Sequence, residues 1–479
     1  MEYVSLAAIR KDLDRGSITI QKLVENYIYR INTYSDLNAF IEVFSDEALE
    51  KAAVVQTKFD QGTAGRLAGL IIGIKDNICY AGHTVSAGSK ILEKYVSIYS
   101  STVVERLLAE DAIIIGRLNC DEFGMGASNE NSWHGPVRNF ADRTRVSGGS
   151  SGGSAVAVQA GLCLAALGTD TGGSVRQPAA FCGVIGFKPS YGRISRHGIL
   201  AYGSSFDQVG TITRSVEDAS LLLEIVAGAD ERDSTASCSL VPHYTGKEYT
   251  SKSRIAYFKE VLEAEALDAG IKVTLETVID QLRKEGHTVE EVSFKYLEYL
   301  VPTYYILTMA EASSNLARYD GVHYGYRCEG ATDLESTYKL SRSKGFGAEV
   351  KRRIMMGSFV LSAGYYDAYY AKAQKVRRLI AEKTKELLTE YDFILMPTTP
   401  EPAFLLGKEE NDPIVSYLGD IFTVLASLAG LPAISIPVGN NENGLPLGLQ
   451  LIGKSFEEEQ LLSFSKYFSQ MVNLTNLNT

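Results

Sequence analysis

The chain has 479 residues, 45% of them hydrophobic and 22% charged, which suits one large α/β domain or a main domain with a sizeable insertion. A net charge of −11 argues against a broad nucleic-acid-binding or anionic-membrane surface, so any nucleic acid is expected to be met mainly through a partner. The most apolar stretch, 155–168, is shorter than the ~20 residues of a membrane span and contains Gln159; with a charged N-terminus, this predicts a cytoplasmic protein without membrane contact.

Residues 1–60 read as a helical segment. SLAAIRKDLDRG (5–16) ends in a glycine stop, and ITIQKLVENYIYRI (18–31) spaces its apolar residues at i, i+3 and i+4. SDEALEKAAVVQTKF (45–59) opens with Ser45 in the manner of an N-cap. The texture changes over 61–227. LIIGIKDNI (70–78) reads as a buried strand that delivers Lys75, Asp76 and Asn77 at its end. A helix at STVVERLLAED precedes a strand at AIIIGRLN (112–119). A glycine-rich loop then enters a helix over 151–161, and LCLAALGTDTGG gives another strand-to-loop step. This alternation predicts a large, parallel or mixed sheet covered by helices on both faces. Residues 228–253 are polar and turn-rich, as a surface connection is, and RIAYF resumes a strand at Arg254. From about 297 to 390 the chain is mainly helical and dense in tyrosine, which predicts a helical insertion or cap beside the sheet. Over 391–479, YDFILMPTTP, PAISIPV and GLQLIG return to strand texture, and the closing NLTNLNT is expected to fray.

Six cysteines are spread singly with no C-x-x-C pair, so free buried thiols are expected, without a metal site or disulfide framework. The tract RTRVSGGSSGGSAVAVQAG (143–161) is no linker, because it feeds an apolar helix, and no P-loop, because no lysine follows its glycines. Gly-x-Ser-x-Gly matches it twice, at Ser150 and Ser151. None of the six histidines sits in a strand-end context, so the base for any hydrolytic serine is expected not to be histidine. In GTDTGGSVRQPAAFCG (168–183), consecutive N–H groups at Thr171, Gly172, Gly173 and Ser174 can hold an anion, including an oxyanion; a tight turn with a surface serine reads equally well. Lys75, at the end of an apolar strand, is either a neutral general base or a lysine paired with Asp76 or Asp170.

Taken together, GIKDNI, GGSSGGSAVAV and GTDTGGSVRQPAAFCGVIGFKPS, at the separations of Lys75, Ser150 and Ser174, resemble the amidase signature family. YGRISRHGILAYGSSFDQVG (191–210), EASSNLARYDGVHYGYR (311–327) and GYYDAYYAKAQKVR (364–377) are similar to the tRNA-dependent amidotransferase A subunits of that family, and the resemblance runs over essentially the whole chain. One departure is Ser147, where the family commonly has proline.

The resemblance implies an amidase-signature fold, with 1–479 as a single catalytic domain. It implies a Ser-Ser-Lys triad in which Ser174 is the nucleophile and Ser150, entered through a cis peptide bond, relays its proton to neutral Lys75. The N–H groups of Thr171, Gly172, Gly173 and Ser174 would hold the oxyanion, while Asp170 and Ser151 would support the loops. The implied substrate is glutamine, its carboxylate on Arg353, its ammonium on Asp420, with Tyr304 lining the site. No cofactor is implied for this chain. Ammonia would pass to a B subunit that uses ATP and Mg²⁺ on a mischarged Glu-tRNA(Gln) or Asp-tRNA(Asn), with a small C subunit clamping the pair. The alternative is a stand-alone amidase acting on small carboxamides.

Overall fold

The computed structural model describes residues 3–408 and 419–476. Among these, eleven strands form one mixed sheet: β1 (Phe40–Val43), β2 (Ile71–Lys75), β3 (Ile113–Leu118), β4 (Ala165–Asp170), β5 (Ile185–Lys188), β6 (Gln208–Thr213), β7 (Arg254–Phe258), β8 (Thr288–Val292), β9 (Phe393–Pro397), β10 (Ala433–Asn440) and β11 (Pro446–Ile452). Their order is β1-β3-β2-β4-β6-β5-β10-β11-β9-β7-β8. β3, β2 and β4 run parallel, as do β9, β7 and β8, and the strands from β4 through β9 alternate in direction.

β2, β3 and β4 are buried along their whole length, the environment in which Ile-Ile and Ile-Ile-Ile runs belong. Parallel neighbours need crossovers, and the helices Thr102–Ala109 and Gly152–Gln159 supply them. The result decides where the site lies. Ile72 pairs with Ala165 and Ile74 with Leu167, so Lys75 and Thr169–Asp170 leave the sheet side by side. Loops at the carboxyl ends of parallel strands are where α/β sheets bind ligands.

The fold corrects several sequence expectations. Residues 1–60 are not all helix: Phe40–Val43 pairs with β3 as an edge strand. Ser45 is the first helical residue rather than a cap; Phe44 holds the cap position and makes no side-chain cap bond. Strands β5, β6 and β8 were not among the predicted elements, because their residues lack a clear alternation or a long apolar run. Five cysteines are buried as expected, but Cys238 is exposed, and all six are free. Asn473–Asn476, expected to fray, complete the helix Glu458–Asn476; the last three residues lie outside the described part. From 297 to 390 the helices Leu297–Asn315, Leu334–Gly345, Ala348–Val360 and Lys372–Glu390 stand beside the sheet. No helix among the described residues is long and apolar enough to cross a membrane.

One buried side chain braces the sheet. Arg176, at the start of the helix Arg176–Cys182, donates to both oxygens of Asp170 at 3.0 Å. It also donates to Thr423 O and Gln450 Oε1, both at 2.9 Å, and to Ser427 Oγ at 3.3 Å, so β4 is tied to β11 across the intervening β6, β5 and β10. Both side chains of the ion pair are wholly buried. Arg176→Met would strand the Asp170 carboxylate without its partner, and urea denaturation should show a loss of roughly 3–5 kcal/mol in unfolding free energy.

Candidate active site

Lys75 Nζ is fully buried and lies 2.7 Å from Ser150 Oγ, 2.9 Å from Ser151 Oγ and 3.0 Å from Thr169 Oγ1. No carboxylate is among its hydrogen-bonding contacts within the described residues, because each nearby acid is engaged elsewhere. Asp76 accepts the N–H groups of Ser86 (3.0 Å) and Gly88 (2.8 Å), with Arg117 at 3.7 Å. Asp170 is held by Arg176. Asp121 accepts the N–H groups of Asn129 (3.0 Å) and Asn131 (3.1 Å). Burial pushes the Lys75 amine below its ordinary range, outweighing the upward pull of Cys120, Asp121, Asp170 and Asp207.

The loop that carries Ser150 is fastened at each residue. The Gly149–Ser150 peptide is cis. Gly149 N–H donates to Gln177 Oε1 at 2.9 Å, Asp121 N–H to Ser150 O at 3.1 Å, and Gly152 N–H to Asn129 Oδ1 at 3.0 Å. Ser151 N–H donates to Ser174 O at 3.2 Å, which joins this loop to the one after β4. Ser174 is 9% exposed whereas Lys75 and Ser150 are 0% exposed. The amine and the Ser150 hydroxyl are thus sealed from solvent, while Ser174, joined to their loop through its backbone carbonyl, is the least buried of the three.

The loop after β4 needs its two glycines for space. A Cβ on Gly172 would sit 2.4 Å from the Tyr304 ring, and one on Gly173, at φ +134°, would sit 2.3 Å from Thr423 Oγ1. Of the four N–H groups nominated by sequence, that of Gly173 donates to Asp170 Oδ1 at 2.9 Å and is thereby committed to the protein. Thr171, Gly172 and Ser174 are left as the oxyanion candidates.

Beside these loops opens a cavity of about 260 Å³, bordered in part by Gln177, Tyr305, Glu349, Arg353 and Gly419. Arg353 is buried, whereas the adjoining Arg352 is exposed. The Arg353 guanidinium donates to Glu349 Oε1 and Tyr202 OH, each at 2.8 Å, and lies over the Tyr202 and Tyr305 rings. Tyr305 OH donates to Asp420 Oδ2 at 2.7 Å. Burial pushes the Asp420 carboxyl up to about 6. Arg353 on the cavity wall thus has Glu349 as its direct carboxylate partner and is linked through Tyr305 to a second carboxylate, Asp420. Tyr304, the tyrosine nominated by sequence, packs on Gly172 and edge-on against Phe206. Among the described residues, no group of three or more His, Cys, Asp or Glu is gathered as a metal site.

Residues 22–462 match the family model described as Amidase. The chain is 48% identical over 469 residues to the glutamyl-tRNA(Gln) amidotransferase A subunit of Chlorobium phaeobacteroides strain BS1, covering 97% of this chain and 98% of that protein. The chain belongs to the amidase signature family. Among solved structures, the A subunit of glutamyl-tRNA(Gln) amidotransferase from Thermotoga maritima is 40% identical with a TM-score of 0.76, covering 93% of this chain and 90% of that one. A structure described as an amidase superimposes with a TM-score of 0.83 at 29% identity, covering 97% and 99%. The amidase-signature fold is therefore common to both, while the sequence lies closer to the amidotransferase subunits.

Several neighbours of this amidase-signature site were not singled out by sequence. Thr169 had a signal, since it precedes Asp170 in GTDTGG. Glu349 lies four residues before Arg353, a helical spacing that brings the two side chains together. Asp121, Gln177, Tyr202 and Tyr305 had none, because they converge only through the tertiary fold.

Amide hydrolysis that needs neutral Lys75 should fall on the acid side as the amine gains its proton. Ammonia release followed across pH checks this. Lys75→Arg, whose side chain stays charged, should be inactive at every pH.

Proposed function

We propose that this chain is the glutamine-hydrolysing A subunit of a tRNA-dependent amidotransferase, acting in the cytoplasm. The observation that carries the reading is the buried Lys75–Ser150 contact of 2.7 Å, in a chain 48% identical along nearly its whole length to proteins named as that subunit. A buried arginine linked through Tyr305 to the Asp420 carboxylate favours glutamine over simple carboxamides. Arg353 takes the α-carboxylate and Asp420, beside Tyr305, takes the α-ammonium, while Tyr304 shapes the floor at Gly172.

Ser174 Oγ attacks the side-chain carbonyl carbon. Its proton passes to Ser150 Oγ as the Ser150 hydroxyl proton passes to the neutral Lys75 amine. The oxyanion is held by the N–H groups of Thr171, Gly172 and Ser174. Collapse of the tetrahedral intermediate breaks the C–N bond, and the same relay run backwards gives the proton to the leaving ammonia. Water, deprotonated through the relay, then attacks the glutamyl ester, regenerating Ser174 and releasing glutamate. Asp170 and Ser151 hold the loops and take no proton. The ammonia goes to a B subunit, which supplies ATP–Mg²⁺ chemistry on the misacylated Glu-tRNA(Gln) or Asp-tRNA(Asn) and makes the main tRNA contacts; a C subunit completes the assembly.

A glutaminase assay on the chain with its co-expressed partners tests this. Ser174→Ala should lower kcat by roughly 10⁴- to 10⁶-fold. Full activity in that variant overturns the nucleophile, and faster turnover of simple aliphatic amides than of glutamine overturns the substrate. Since the α-ammonium needs an ionised Asp420, whose folded pKa is raised to about 6, affinity is present above that pH and lost as pH falls through it. KM for glutamine should therefore rise below about pH 6, and Asp420→Asn should show a high KM without this dependence.

A further inference from the structure

The residue Asp207 stands just before β6, is 4% exposed and has no part in the proton relay. Its carboxylate gathers three donors from two parts of the site. Oδ1 accepts Thr171 Oγ1–H at 2.6 Å and Gly203 N–H at 3.2 Å, and Oδ2 accepts Tyr202 N–H at 2.9 Å. Thr171 opens the loop that presents N–H groups toward Ser174. Tyr202 is the residue whose hydroxyl accepts from Arg353 at 2.8 Å and whose ring lies under the same guanidinium. Asn315 Nδ2 fixes Tyr202 from the other side, donating to its carbonyl at 3.1 Å. Above its pKa, which burial pushes up to about 6, Asp207 is ionised and accepts from all three donors at once.

We infer that Asp207 is a positioning and specificity-determining residue, which sets the span between the loop that binds the reacting carboxamide and the arginine that binds the α-carboxylate. This rests on the glutamine reading given above. In an α-amino carboxamide those two groups are separated by a fixed number of methylenes. A rigid span therefore selects glutamine over asparagine, which is one methylene shorter and cannot reach both ends. Uncoupling the two ends lets the loop and Arg353 drift independently, which penalises the matched substrate more than the mismatched one.

The test is steady-state hydrolysis of glutamine and of asparagine by the assembled enzyme at a pH where Asp207 is ionised, comparing Asp207→Asn, Thr171→Val and Thr171→Ser. Charge-assisted hydrogen bonds of this kind predict a drop of about 10- to 100-fold in kcat/KM for glutamine with Asp207→Asn. The drop for asparagine should be smaller, so the glutamine-to-asparagine ratio shrinks. Thr171→Val, which keeps the backbone N–H but removes the hydroxyl on Asp207, should shrink the ratio in the same direction, and Thr171→Ser should restore it. Equal losses for both substrates, or a Thr171→Val enzyme with the wild-type ratio, overturn the inference. If Asp207→Asn does not fold, the Thr171 pair decides alone. The underlying reading fails separately, through a wild-type enzyme that does not prefer glutamine or a Ser174→Ala enzyme that stays active.

Discussion

An amine closed off from water is a base only where no carboxylate sits against it. Lys75 meets that condition because its contacts among the described residues are hydroxyls and a peptide oxygen, with Ser150 nearest at 2.7 Å. A carboxylate at the same distance would hold the proton on the lysine. Three acids nonetheless lie close enough to be felt, Asp121, Asp170 and Asp207, and each spends its lone pairs on other donors. Asp170 takes Arg176, Asp121 takes the backbone of 129–131, and Asp207 takes Thr171 and the backbone of 202–203. The hydrogen bonds that keep these carboxylates off the lysine are therefore the same ones that shape the loops around it.

Sheet topology makes this economy possible. Parallel β2 and β4 bring Lys75 beside Thr169, and the helix entered from the glycine-rich loop crosses over between β3 and β4, so Ser150 and Ser151 return to the same end. Arg176 then carries the constraint to the other half of the molecule. Its contacts to Thr423 and Gln450 place the segment bearing Asp420 relative to β4. Thr423 also donates to Gly172 O at 2.6 Å, so the loop with the glycines is gripped from both ends.

What was legible in the sequence follows from how local its cause is. The runs at 70–78 and 112–119 declare buried strands because parallel central strands are apolar throughout, and the helices at 5–16 and 18–31 declare themselves by period and cap. β5, at Ile185–Lys188, is too short to carry a pattern and exists because β6 and β10 pair with it. Within the site, the serines, lysine and glycines stand out because their chemistry is unusual for their setting. Tyr202, Tyr305 and Asp121 look like ordinary residues until tertiary contacts bring them to Arg353, Asp420 and Gly149. The four consecutive N–H groups at 171–174 were equivalent on paper, and only the fold shows that Gly173 is spoken for by Asp170.

The two halves of the site come from different parts of the chain. The lysine, serines and N–H groups stand on β2 and on the loops that follow β3 and β4, whereas Tyr304, Tyr305 and Arg353 come from the helices Leu297–Asn315 and Ala348–Val360. An amide-cleaving core so arranged can keep its chemistry while the helices beside it change what reaches it. The amidase of TM-score 0.83 at 29% identity shares the fold, and divergence of that size leaves room for a different pocket. Independence of the halves would be a liability for a substrate that must be held at both ends, since each could shift without the other. Tyr304 against Gly172, and the Thr171–Asp207–Tyr202–Arg353 chain, are two joints that tie the helices to the loops of the core. Discrimination by length then resides in those two joints rather than in the reacting groups.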